Sequence, residues 1–487
     1  MAAAETGPDL AALFQRQRRA FLQEGPPTAA VRQERLDRLI HLLLAHAEAL
    51  TAALSADFGH RPKTLSMATD ILGLLEPLQH ARKHLGRWMQ PERRSAGVFR
   101  FVGARARIEW QPLGVIGVIS PWNFPVTLAL HPVGSALAAG NRAMIKVSEH
   151  TPRTAALLER AVAESFPDEE LAVISGGPAV GAAFCALPFD HLLFTGASAI
   201  GKKVQQAAAA HLGAVTLELG GKDPVVVAPD ADLERAAARI MLGKTFNAGQ
   251  VCLAPDYVFV PAGSESAFVA AAQRATAAMY PSLLDNDDYP SLLGERNLVR
   301  LRGYLADATE RGATVIPINP AHEDFSKQPH HKMPPTLILG ATPQMRVLQE
   351  EIFGPILPVL PYRDIDEAIA FINERERPLA AYYFGGDTPA RRRFLERTTS
   401  GGVTINDVLT HGGIEDLPFG GVGHSGLGRY HGREGFCTFS NGRSIAEVGR
   451  ISTNLVLRPP YGDRLKRLFA YQVESALKAV KKRLKRT

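Results

Sequence analysis

Short apolar runs of four or five residues alternate with longer amphipathic ones between Val115 and Met279, and this alternation restricts the fold more than any other feature of the chain. Val115–Ile119, Ala143–Val147, Leu171–Ser175 and His191–Thr195 read as strands, with helices expected over Pro125–Ala139, Thr154–Ser165 and Ala199–His211. Uniformly apolar runs suit strands buried on both faces, and a helix after each strand returns the chain to run in the same direction. The expectation is an α/β fold with a parallel sheet. A second series follows: strand Pro224–Val227, helix Leu233–Phe246, strand Tyr257–Val260, helix Glu265–Met279. A chain of 487 residues exceeds one simple core, so two or three domains are expected.

Other segments are helical or irregular. Leu36, Leu39, Ile40, Leu43, Ala47, Leu50 and Leu54 recur at three- and four-residue steps and predict one helix over Val31–Leu54, with Gly59 as its stop. Residues 98–112 alternate in places and predict an exposed hairpin or arm. The polar stretch Asn319–Pro335 reads as loop; its His322, His330 and His331 lack ligand spacing, and no metal is expected. Three scattered cysteines, Cys185, Cys252 and Cys437, offer no disulfide framework and suit a reducing, cytoplasmic setting. The first residues lack the basic and apolar regions of a signal peptide, and no apolar run approaches the roughly 20 residues of a membrane span.

Charge decides against a nucleic-acid partner. Residues 458–487 carry ten Lys/Arg and two Asp/Glu, a surplus that exceeds the whole chain's net charge of +6, so the remainder is slightly acidic. Within that tail Leu465, Leu468, Phe469, Val473, Ala476, Leu477, Val480 and Leu484 trace a helical stripe bordered by basic residues. Two readings stay open: docking on the protein's own surface, or contact with an anionic membrane.

Four segments carry chemistry. Phe246–Tyr257 sets Cys252 in a turn of small residues, where Gly249 permits backbone angles closed to other residues. Asn123, between a strand and a helix beginning at Pro125, either caps that helix or offers its amide to an oxyanion. Glu218 lies between Leu217 and Leu219 ahead of Gly220-Gly221; an apolar setting disfavours its charge and makes it a proton acceptor near neutrality, unless it pairs with Lys222. The turn from Gly196 through Ser198 to Gly201 opens a helix whose N–H groups suit a phosphate, although the spacing is not that of the usual dinucleotide fingerprint. Lys146 and Glu149 follow a strand and suit a ribose; Glu351 and Phe353 pair a carboxylate with an aromatic ring. Asn123, Thr127 and His131 fall at steps of four, with Phe124 and Phe246 near Asn123 and Cys252, and predict an apolar, aromatic substrate pocket. The segment Pro418–Gly428 is too rich in glycine for regular structure and predicts close backbone approach around a site.

Together these segments resemble the aldehyde dehydrogenase superfamily over about residues 10–445. Pro121-Trp122-Asn123-Phe124-Pro125, Leu217–Lys222, Gly249-Gln250-Val251-Cys252 and Glu351-Ile352-Phe353-Gly354-Pro355 occur in the family's order. Cys252–Tyr257, Lys332–Thr336 and the segment ending Tyr430-His431-Gly432 look like its class 3 branch, which handles aromatic and fatty aldehydes. Ala197, Val147 and His424 depart from residues frequent in the family.

The resemblance implies a Rossmann-like NAD(P)-binding domain over 1–217 with an oligomerisation arm at about 98–112, and an α/β catalytic domain over 218–418. It also implies a closing segment and bridging strand over 419–449, with the basic tail at 450–487. It implies Cys252 as nucleophile, Asn123 with the Cys252 N–H as oxyanion hole, and Glu218 as base. Lys146 and Glu149 would hold the adenosine ribose, Glu351 the nicotinamide ribose, and Phe353 the nicotinamide. NAD is the expected cofactor, NADP a possible one, and a homodimer the expected assembly. The expected reaction oxidises an aromatic aldehyde of the coniferyl or cinnamyl type to its acid. Medium- or long-chain fatty aldehydes are the alternative, and acyl transfer to coenzyme A is disfavoured by Glu218.

Overall fold

The apolar runs form two sheets, both covered on two faces. In the computed structural model, which describes residues 9–449, 452 and 458–485, five of them are parallel strands: Val115–Ile119 (β1), Arg142–Lys146 (β2), Leu171–Ile174 (β3), His191–Thr195 (β4) and Ala214–Glu218 (β5). Their order is β5-β4-β1-β2-β3, with Ile116 opposite Ala143 on one side and His191 on the other. The winding reverses between β1 and β4, which opens a crevice at the carboxyl ends of these strands. Ser120–Phe124 leave β1 at that crevice, and Gly196–Ser198 leave β4.

The second sheet contains Pro224–Val227 (β6), Tyr257–Pro261 (β7), Thr314–Pro317 (β8), Thr336–Leu339 (β9), Ile356–Tyr362 (β10), Ala380–Phe384 (β11) and Gly402–Ile405 (β12). They run in the order β8-β9-β10-β7-β6-β11-β12, parallel except for β8. Alternation along each strand serves two cores. Val225, Val227, Val258 and Val260 enter one cluster, while Val226, Tyr257 and Phe259 enter the other. This double burial is why the strands read as unbroken apolar runs.

The glycine-rich segment adds an edge strand to the first sheet. Gly426-Leu427 (β13) pairs antiparallel with Glu218 and Leu217 of β5. Gly426 has φ +159°, and a Cβ there would collide with the Leu217 carbonyl, so the close approach predicted for this segment is realised beside Glu218.

The chain divides into two compact units. The first comprises the residues up to Trp88 together with Gln111–Asn441 and contains both sheets. The second comprises Met89–Trp110 and the chain from Gly442 onward. A three-stranded sheet, in the order Glu92–Arg94, Arg105–Pro112, Ser440–Glu447, includes an antiparallel pairing of Glu92 with Ile108. The arm expected at 98–112 thus continues as strand Arg105–Pro112 after a short 3-10 turn at Gly97–Val102. The tail forms the helix Asp463–Leu484, none of whose residues is buried. The signal-peptide expectation falls largely on residues 1–8, and part of the tail on 450, 451, 453–457, 486 and 487; these lie outside the described residues. Among the described residues no single helix is long and apolar enough to cross a membrane.

Three local expectations are corrected. The stripe expected as one helix is two, Ala29–Ala45 and Ala47–Phe58, bent by 61°. His46 leaves helical geometry there, and its Nδ1 lies 3.0 Å from the Leu42 carbonyl. Leu36, Leu39, Leu43, Leu50 and Leu54 are nevertheless all buried, so the periodicity survives the bend. The helix expected from Pro125 starts at Thr127. Asn123 does not cap it; the Asp70 carboxylate accepts from the N–H groups of Val126 and Thr127 at 3.3 and 3.4 Å. Ala214–Glu218, not expected as a strand, is β5; Thr216 and Glu218 interrupt its apolar run and hide it in the sequence.

Candidate active site

Cys252 follows the helix Leu233–Thr245 through a turn that no ordinary residue series would adopt. Asn247, Ala248 and Gly249 all have positive φ, at 49°, 53° and 73°. Gly249 is pressed against Gly354 of the Glu351–Pro355 loop, where a Cβ would meet the Gly354 carbonyl. Gln250 ties the turn down, donating to the carbonyls of Asn247 (2.9 Å) and Ser291 (3.1 Å) and accepting from the Leu293 N–H (2.8 Å). Each of these bonds is buried, so they hold the strained backbone in place.

The same network reaches Asn123. Its amide donates to the Gln250 carbonyl at 3.2 Å, and Asn247 Nδ2 donates to the Asn123 carbonyl at 3.3 Å. The side chain is 3% exposed, and its amide is fixed beside the backbone two residues before Cys252. Phe124 and Phe246 face each other with ring centroids 6.4 Å apart. Like Cys252 and Phe419, they are partly buried and pack against one apolar core cluster.

Glu218 is 3% exposed, and neither carboxylate oxygen has a hydrogen-bond partner among the described residues. Burial pushes its pKa well above the usual carboxylate range, opposed only by the charge of Arg429. The alternative pairing with Lys222 is not made. Lys222 Nζ lies 2.5 Å from Asp256 and donates to the Val347 carbonyl at 2.8 Å. Asp256 also stands 3.6 Å from Lys244 Nζ and accepts from the Ile352 N–H. It thereby fixes the loop that carries Glu351. Burial lowers Lys244 to about 8.

Glu351 lies against Gly220, where a Cβ would strike its carboxylate. Burial and the nearby Asp256 raise it to about 8, while Lys222 and the Gly221 N–H oppose the shift. Burial raises the Cys252 thiol too, and Glu351, Asp223 and Glu218 raise it further. The thiol is therefore protonated near neutrality, and burial makes the carboxylates around it more basic than usual.

The remaining expected residues gather at the strand ends of the first sheet. Lys146 Nζ is 3.2 Å from Glu149 and donates to the Val147 carbonyl; Lys146 is buried and Glu149 is exposed. The Gly196 N–H is taken by the Glu218 carbonyl and the Gly201 N–H by the Ala197 carbonyl, which leaves the helix start at Ser198 for a phosphate. Gly201 instead admits the Leu219 side chain at close quarters. Ser198 Oγ donates to the His424 carbonyl at 3.3 Å. Phe353 has φ +47° and meets the Trp122 ring edge-on at 5.2 Å. Thr127 commits its hydroxyl to the Thr69 carbonyl at 2.7 Å, and His131 faces Glu415 rather than standing alone.

Sequence reasoning passed over Asp256, Lys244, Asp223 and Glu415 as working groups. Asp256 and Lys244 sit among apolar neighbours in the chain, a weak signal that becomes useful only once their segments are known to meet. No metal site was expected, yet His131, Glu415 and His431 are brought together by the fold.

A partly buried thiol, an amide tied to its turn, two raised carboxylates and a strand-end crevice fit aldehyde oxidation with a dinucleotide. Comparison with known proteins agrees. The chain matches the Aldehyde dehydrogenase family over residues 2–445. It is 50% identical over 466 residues to the Probable coniferyl aldehyde dehydrogenase of Caulobacter vibrioides, covering 95% of this chain and 96% of that one. A Staphylococcus aureus AldH solved in a substrate-bound state superposes with TM-score 0.88 at 35% identity, covering 94% of this chain and 98% of the other. A Mycobacterium tuberculosis aldehyde dehydrogenase complexed with NAD+ superposes with TM-score 0.80 at 28% identity, covering 91% of each. The chain belongs to the aldehyde dehydrogenase family.

Proposed function

We propose that this enzyme oxidises an aromatic aldehyde of the coniferyl or cinnamyl type to its carboxylic acid, with Cys252 as nucleophile. The observation that carries the reading is that Glu218 acts electrostatically on Cys252 and has no hydrogen-bond partner among the described residues, while the Asn123 amide is tied to the backbone of the Cys252 turn. The ring pair of Phe124 and Phe246, which packs against the same apolar cluster as Cys252, supports a planar apolar substrate, as does the likeness to the Caulobacter protein.

The chemistry follows from these residues. The Cys252 thiol gives its proton to a neighbouring carboxylate and the sulfur bonds to the aldehyde carbon. The second hydrogen of the Asn123 amide and the Cys252 N–H hold the oxygen as it becomes negative. Bound at the strand-end crevice, a nicotinamide dinucleotide supplies the acceptor for the hydride lost from carbon. Cys252 is then a thioester. Glu218 takes a proton from water, the hydroxide adds to the acyl carbon, and the carbon–sulfur bond breaks to release the acid and the thiolate. Overall, aldehyde, water and oxidised cofactor give acid, reduced cofactor and a proton.

The cofactor fits the residues that would hold it. Glu351 presents a buried carboxylate against Gly220 and Gly221, and Lys146 with Glu149 flanks the winding reversal. Glu149 could accept both hydroxyls of a ribose, which supports NAD over NADP.

The second unit supports two further parts of the reading. Val98, Phe99 and Phe101 are exposed apolar residues on the arm, suited to a partner subunit in a homodimer. The helix Asp463–Leu484 carries Leu468, Phe469, Val473, Leu477 and Leu484 exposed beside its basic residues, suited to an anionic membrane. A cytoplasmic setting accords with three free cysteines. The deciding experiment follows absorbance of the reduced cofactor with cinnamaldehyde, long-chain aldehydes, acetaldehyde and succinic semialdehyde, with and without coenzyme A. Highest kcat/KM for the cinnamyl compound and no need for coenzyme A is expected; a preference for succinic semialdehyde would overturn the substrate class.

A further inference from the structure

His131, Glu415 and His431 come from three segments, and no step above uses them. They are 5, 6 and 6% exposed. The Glu415 carboxylate accepts from the Gly432 N–H at 2.5 Å and stands 3.3 Å from His131 Nε2. His431 Nδ1 lies 3.7 Å from Glu415 Oε2, too far for a hydrogen bond, and has no partner among the described residues. Burial keeps His431 neutral, so its ring carries one donor and one acceptor. A carboxylate oxygen and a ring nitrogen held this far apart are the two sides of a site for one hydroxyl. That hydroxyl donates to the carboxylate and accepts from the ring N–H.

The neighbours of this group relate it to Cys252. Phe419 stacks on His431 with centroids 4.8 Å apart and planes 14° apart, and meets Tyr430 edge-on. Phe419 packs against the same apolar core cluster as Phe124, Phe246 and Cys252. Tyr430, beside His431 with ring centroids 4.6 Å apart, is acted on electrostatically by Glu218, Cys252 and Glu415 alike. The polar group is thus linked through Phe419 and Tyr430 to the surroundings of Cys252. We propose that His131, Glu415 and His431 form a subsite for a hydroxyl on the distal end of the substrate, as on the ring of a para-hydroxylated aromatic aldehyde. The inference rests on the reading of Cys252 as an aldehyde-oxidising centre and adds what selects among aromatic aldehydes.

A matched substrate pair tests it: 4-hydroxycinnamaldehyde and cinnamaldehyde, compared by kcat/KM in the parent enzyme, in Glu415→Gln and in His431→Phe. The parent should favour the hydroxylated aldehyde by about tenfold or more, because losing the hydroxyl leaves buried polar groups unpaired. In each variant that ratio should fall to within about threefold of unity, mainly through KM of the hydroxylated substrate. Circular dichroism of both variants checks that they fold, and either folded variant suffices for the ratio. Equal turnover of the two aldehydes by the parent, or a ratio unchanged in a folded variant, overturns the subsite and leaves the aldehyde reading standing. Oxidation of neither aldehyde overturns both. The three ligand atoms also lie within 4.8 Å of one another; one equivalent of zinc in the purified enzyme, lost in Glu415→Gln, would make the group a cation site and overturn the proposal.

Discussion

Glu218 ends a strand of the six-stranded sheet, whereas Glu351 lies on the loop that leads into β10 of the seven-stranded one, and both raise the thiol of Cys252. Both are raised by their own burial as well. They differ in what surrounds the carboxylate. Glu218 has no hydrogen-bond partner among the described residues and only the charge of Arg429 to oppose its protonation. Glu351 is lodged on Gly220-Gly221, near Lys222 and a loop pinned by Asp256. An unheld buried carboxylate is suited to exchanging protons, and a held one to fixing a ligand. The same side chain thus supports two roles by environment alone.

Breaking this contrast should have its largest effect at Glu218. Glu218→Gln is expected to lower kcat by about 10²–10⁴-fold, with cofactor affinity measured by fluorescence titration little changed. Asp256→Asn should come next, because it strands Lys222 and Lys244 without their buried counter-charge. The loss expected in urea unfolding is about 3–5 kcal/mol. Glu351→Gln should give the reverse pattern to Glu218→Gln: cofactor affinity lowered by roughly 10–100-fold, as for one hydrogen bond to a charged group, and a smaller loss in kcat once cofactor saturates.

The smallest effect is on stability against pH, and its sign is fixed by the raised carboxyl. Glu351 is favoured inside the protein when protonated, so its contribution is fully present below its ordinary value near 4.5 and lost as pH rises to about 8. Glu351→Gln should therefore gain melting temperature relative to the parent between pH 5 and 8.5 and show no gain at pH 4.5. A constant difference across that range would mean the shift is not felt in folding.

Much of this was legible in the chain because both sheets are buried on two faces. His191–Thr195, Pro224–Val227 and Glu265–Met279 occur at the bounds expected from their apolar patterns. Periodicity could not reveal the bend at His46, since both helices press the same stripe on one core. Nor could it reveal who caps Thr127: Asp70 is far away in sequence, and the local candidate, Asn123, is drawn instead to Gln250. Cys252, Asn123 and Glu218 stood out because each is odd as scaffold. Asp256 and Glu415 did not, because a single carboxylate among apolar neighbours acquires meaning only from Lys222, Lys244, His131 and His431 arriving from elsewhere.

The central claim, that Glu218 acts on the thioester rather than on the thiol, is tested most directly by rapid mixing of Glu218→Gln with aldehyde and NAD. With the parent's carbon–sulfur chemistry intact and only water activation lost, reduced cofactor should appear in a burst approaching one per active site, followed by slow turnover. Mass spectrometry should find the acyl group on Cys252 during that slow phase. Absence of both burst and adduct would contradict the account and place Glu218 earlier, at the deprotonation of Cys252.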